Sequence, residues 1–140
     1  MKRSIAIISA LALTLACCLG VAAASGEIVP YASLTICSTG VSSSTGDNTG
    51  EVDFSFSIIA TASADRLGAA STLIYKPDGT TERVIGNTKN GLIGSGNAHT
   101  YTYTYKGVSG QSYYADIMLF STIGSVSDSR TRTTKSAVAR

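Results

Sequence analysis

Residues 50–62 constrain this chain more than any other stretch. Val52, Phe54, Phe56, Ile58, Ala60 and Ala62 alternate there with Glu51, Asp53, Ser55, Ser57 and Thr61. A period of two sends successive side chains to opposite sides of an extended backbone, so the segment predicts a strand with one buried and one wet face. A helix would scatter the same apolar residues around its circumference. Further extended runs are expected at 31–38, 69–76, 81–85, 100–106, 112–123 and 128–138, which makes about seven strands and no amphipathic helix. Lys76-Pro77-Asp78-Gly79-Thr80 reads as a turn: Pro fixes φ, Asp caps locally and Gly supplies a positive φ. Residues 86–97 carry four Gly and three Asn and read as a long mobile loop. In 112–123 the inward set is Tyr113, Ala115, Ile117 and Leu119, because the other choice would bury Asp116.

The first 24 residues follow a different rule. Lys2 and Arg3 form a positive head, residues 4–19 an apolar run, and Val21-Ala22-Ala23-Ala24-Ser25 a small-residue site of the A-x-A kind. This is the pattern of an export signal cleaved near Ser25, with a lipid anchor at Cys17 or Cys18 as the lesser alternative. The whole chain has 11 Lys plus Arg against 9 Asp plus Glu, and losing Lys2 and Arg3 brings the two signs level. A neutral exported chain has no global field to gather nucleic acid or an anionic membrane, so neither is expected as a partner. No stable membrane span is expected after processing.

Cleavage also removes two of the three cysteines and leaves Cys37 alone. No internal disulfide or Cys-based metal site can then form, and a Cys37-bridged homodimer stays open. Alternation through Leu34-Thr35-Ile36-Cys37 puts Leu34 and Ile36 on one face and a half-covered Cys37 on the other. His99 is the only histidine, and it leads a row of tyrosines, so it reads as a strand-end side chain rather than a base. There is no G-x-S-x-G elbow, and Leu92 stands where a phosphate loop needs Lys. Glu51 and Asp53 share a wet face, where neither is shielded as a general acid must be. Val52 occupies the position at which a calcium loop needs Gly. No catalytic residue, cofactor or metal site is assigned.

Two features remain as candidate ligand contacts. Tyr101, Tyr103 and Tyr105 form an aromatic ribbon facing an all-threonine side, which argues for burial of the ribbon; if exposed, it would stack on sugar rings. Asn90 and Asn97 lie in the adjacent loop and are candidates with them. The basic end, Arg130, Arg132, Lys135 and Arg140, reads as a solvated edge blunted against aggregation.

Val108-x-Gly110-Gln111-Ser112-Tyr113-x-Ala115-x-Ile117-x-Leu119 resembles the penultimate strand of fibronectin type III and immunoglobulin-like sandwiches. There a tyrosine at the strand entrance hydrogen-bonds back across the corner. Glu27-Ile28-Val29-Pro30-Tyr31, Ala64-Asp65-Arg66-Leu67-Gly68-Ala69 and Ser127-Asp128-Ser129-Arg130-Thr131 are similar to a group of small exported proteins of Gram-positive bacteria, without the Cys pair and core Trp of antibody domains. The resemblance implies a fold and no activity. The expected architecture is all-β: a signal-peptide helix at 1–24, an N-terminal segment and first edge strand at 25–49, and the rest of one immunoglobulin-like antiparallel β-sandwich at 50–140. The expected role is a secreted, non-catalytic module that binds an extracellular glycan or protein. The alternative is a self-assembling subunit pairing through edge strands or Cys37, and a small secreted hydrolase or toxin is a third reading.

Overall fold

The structure, a computed structural model, describes residues 33–140; the expected export signal, Pro30 and Tyr31 lie outside the described residues. Among the described residues there are seven strands: β1 (Ile36–Thr45), β2 (Glu51–Tyr75), β3 (Thr81–Ile85), β4 (Ile93–Lys106), β5 (Ser112–Ile123), β6 (Val126–Thr133) and β7 (Ala137–Val138). All pairings are antiparallel. The described residues are all-β, as the alternation predicts, and the sheet is curled into a half-barrel around one core.

β2 organises everything else. Its first half lies between β1 and β4, and its second half between β3 and β5. Residues 50–62 and 69–76, expected as two strands, are parts of this one element. The pairing of β2 with β4 slips between Ile59 and Ala64 and again before Leu67. Such bulges add unpaired residues and local twist, which lets one strand serve both sides of a curled sheet. Gly68, with φ at +143°, sits at this corner against the carbonyl of Leu92.

Both halves of β2 feed the core. Val52, Phe54, Phe56 and Ile58 are buried from the first half and Ile74 from the second, facing Ala115, Ile117 and Leu119 of β5. The inward set chosen for β5 is therefore the buried one. Ala62 is a correction: it lies exposed, because the alternation breaks at the bulge.

The loops differ more from expectation. The first strand, expected at 31–38, runs instead through Ile36–Thr45 and takes in the Ser/Thr/Gly stretch, since an edge strand facing solvent needs hydrogen bonds more than apolar side chains. The loop expected at 86–97 ends at Leu92, and β4 begins at Ile93. Leu34 and Ile36 do not share a face: Leu34 is 71% exposed and Ile36 is 2% exposed. A register shift between Ile36 and Ser38 instead leaves Cys37 exposed on the edge. The last strand expected at 128–138 is split. Thr134 leaves the ladder there, and its hydroxyl accepts from the Ala115 amide at 3.0 Å.

The segment entering β1 is held by one carboxylate. Asp128 of β6 accepts from the Ser33 hydroxyl at 2.7 Å and from the Thr35 amide at 2.8 Å. The hydrogen bond from Ser33, followed by that from the Thr35 amide, holds the Asp128 carboxyl below the ordinary aspartate range. A depressed folded pKa means the clasp stabilises the fold above about pH 4, and its contribution disappears as pH falls through that range. Thermal denaturation of Asp128→Asn should accordingly show a lower midpoint than wild type at neutral pH. The gap should close below about pH 4.

Candidate functional site

The turn chemistry of the second half of β2 builds one wall of a cavity. Pro77 and Gly79, with φ at +82°, reverse the chain. The Asp78 carboxylate accepts from the Thr80 amide at 2.9 Å and from its hydroxyl, which lowers its pKa. This hairpin pairs Ile74 with Glu82 and so brings Glu82 beside Lys76, with Nζ and carboxylate 2.9 Å apart. The hydrogen bond with Glu82 raises the Lys76 pKa, and the same bond lowers that of Glu82.

The opposite wall comes from the β4–β5 turn. Tyr105 is buried and its ring meets that of Tyr113 at 5.4 Å, tilted by 58°. The Tyr113 hydroxyl accepts from the Val108 amide at 2.8 Å, which ties the turn back to the start of β5. The Tyr105 hydroxyl donates to Glu82 at 3.2 Å. Burial, then the charge of Glu82, raises the Tyr105 pKa, so the phenol stays a donor. Between the two turns lies an open cavity of about 480 Å³, lined by Lys76, Tyr105, Val108, Gln111 and Tyr113 among others. Aromatic walls with a few fixed polar groups are the usual make-up of a small-molecule site.

The structure separates the five candidate contacts. Tyr105 is in the cavity wall, while Tyr101 and Tyr103 are half-buried along the same inner face of β4. Burial raises the pKa of Tyr103, with Glu82 adding to it. Asn90 is spent on its own loop: its side chain accepts from the Asn87 amide at 3.0 Å and donates to the Ile85 carbonyl at 2.8 Å. Asn97 is exposed and is not among the cavity residues. His99 is placed within β4 rather than at its end. Its Nε2 is 2.8 Å from the Gly91 carbonyl, an oxygen that can only accept, so Nε2 carries the proton.

Lys76, Glu82, Gln111 and Tyr113 were not singled out as contacts by the sequence. The signal available was the hairpin itself, because a five-residue turn fixes which residues pair beyond it. The other carboxylates weighed as acids are engaged elsewhere. Glu51 accepts from the amide and side chain of Asn48, and these bonds lower its pKa. Asp53 accepts from the Thr104 hydroxyl at 2.6 Å. Among the described residues, no group of three His, Cys, Asp or Glu gathers in a way that could hold a metal ion.

No protein-family model matches the chain, and no curated protein matches it. Among solved structures, 71% of the chain is similar to part of a family 76 glycoside hydrolase from a bovine Bacteroides thetaiotaomicron strain, with 13% identity and a TM-score of 0.38. The chain spans 20% of the length of that enzyme. A likeness this slight marks neither fold nor function.

Proposed function

We propose that the chain is an exported, non-catalytic β-sandwich module that binds an extracellular glycan in the cavity between the β2–β3 and β4–β5 turns. One observation carries the reading: a cavity of about 480 Å³ with tyrosine walls and a hydrogen-bonded Lys76–Glu82–Tyr105 trio at its side. Sugar rings present apolar C–H faces and a rim of hydroxyls, which suit aromatic walls and fixed donors and acceptors respectively. The non-catalytic part rests on the carboxylates near the cavity. Asp78 and Glu82 are both held below their ordinary range, so neither is a proton-bearing acid at neutral pH.

The test is saturable binding to immobilised cell-wall, mucin and plant polysaccharides, with soluble oligosaccharides as competitors. Tyr105→Phe removes only the hydroxyl, and Gln111→Ala changes an exposed side chain. Each should weaken binding about tenfold while the melting curve stays near wild type, the scale of one lost hydrogen bond. The proposal fails if no polysaccharide binds saturably, or if binding ignores both substitutions.

A further inference from the structure

We infer that the outer face of β3, β2 and β5 is a homodimer interface, stacked on the same face of a second copy about a two-fold axis along β2. Register fixes which residues share this face. Leu73 of β2 pairs with Arg83 on one side and Asp116 on the other. Two residues earlier, Ser71 pairs with Ile85 on one side and Met118 on the other. Directly paired residues point to the same face of a sheet, and Leu73 and Ser71 alternate with the buried Thr72 and Ile74. All six residues therefore point outward, with β2 flanked at equal strand spacings of about 4.8 Å.

That arrangement is self-complementary. Half a turn about an axis along β2 exchanges its two flanks, so Arg83 of one copy lies over Asp116 of the other, and the reverse. The same operation sets Ile85 against Met118 twice. Stacked sheets keep their strands within about 30° of one another, so the match holds in the rows nearest the axis. A two-fold interface requires this reciprocity.

The surface supports such an occupant. Ile85 is 60% exposed and Met118 is 42% exposed, large apolar groups on a face that a solitary sandwich would keep polar. Arg83 has no carboxylate partner among the described residues. Asp116 accepts from the hydroxyls of Tyr75 and Thr133, and its carboxylate keeps lone pairs free for a guanidinium. The outer face of β1, β2 and β4 is more polar: it carries Ser55, Ser57, Thr100 and Thr102, with Ile59, 47% exposed, beside them. If the cavity binds a glycan, pairing also gives one particle two sites and raises its apparent affinity for a repeating polymer.

The experiment is sedimentation velocity over a wide concentration range, on the full chain kept reduced so that Cys37 cannot bridge copies. The wild type should self-associate. Arg83→Glu alone and Asp116→Lys alone should each weaken association by about a hundredfold or more, because each sets like charges opposite one another twice. An equal mixture of the two variants should restore the dimer, since every swapped charge then meets its opposite. Circular dichroism checks that each variant folds. If Asp116→Lys does not fold, Ile85→Lys supplies a second arm at an exposed position and should weaken association comparably. A wild type that stays monomeric at every concentration would overturn the inference. So would a dimer that is indifferent to Arg83→Glu and Ile85→Lys.

Discussion

Gly68→Ala should destabilise this protein by about 4 kcal/mol, the sum of backbone strain and forced displacement. Gly68 holds φ at +143°, a region that residues with a Cβ rarely enter. A methyl there would fall 2.1 Å from the Leu92 carbonyl oxygen, which is backbone and cannot rotate away. The Ala69 amide donates to that same carbonyl at 2.8 Å, so displacing it also strips a hydrogen bond from the corner of β2. Domains of this size are stable by roughly 5–15 kcal/mol, so the variant should lose a large share of its margin and melt about 15–30 °C lower. Gly79→Ala is the control. Its φ of +82° is also unfavourable for alanine, yet nothing lies within 4 Å of the added carbon. Thermal melts followed by circular dichroism decide the matter. If Gly68→Ala melts no lower than Gly79→Ala, the close approach at the corner does not limit stability.

Tyr105→Ala should cost about 3–5 kcal/mol, the range for removing a buried aromatic ring. Tyr105 is 8% exposed, stacks obliquely on Tyr113 and anchors Glu82. Its removal empties the middle of one cavity wall and leaves Tyr113 without its neighbour. Thr104→Ala, one residue away on the wet face, loses only an exposed hydrogen bond to Asp53 and should cost less than about 1 kcal/mol. Urea titrations should place the Tyr105→Ala midpoint about 2 M below wild type, with Thr104→Ala close to wild type. Equal effects from the two would mean that the tyrosine side of β4 carries no more packing than its threonine side.

The same strand shows how far a sequence can be read. Alternating Thr and Tyr from Thr100 to Tyr105 identifies a strand and separates two faces, because that information is local. The choice of buried face was also legible, since threonine tolerates water and tyrosine gains by leaving it. Grading within the tyrosine face was not. Tyr105 is buried while Tyr101 and Tyr103 are half-buried, and it is Tyr105 that meets the Tyr113 ring of β5 and the Glu82 carboxylate of β3. A Cβ at Gly91 would meet the Tyr101 ring at 2.3 Å, a constraint between residues ten positions apart that periodicity does not express. Asn90 illustrates the converse. Its Asn-Gly context marks a turn, and its side chain closes that turn rather than meeting a ligand.

By itself the sequence determined the all-β class, the inward face of β5, the turn at Pro77–Gly79 and the core of the first half of β2. Each follows from side-chain alternation or from φ preferences, which act within a few residues. Only the tertiary structure decided that residues 51–75 form one strand bent at Gly68 and that the first edge strand runs through the Ser/Thr stretch to Thr45. The same holds for Lys76, Tyr105, Gln111 and Tyr113 surrounding one cavity. Those features rest on which strands become neighbours. Pairing partners are selected by burial summed over the whole sheet, and no local window contains that sum.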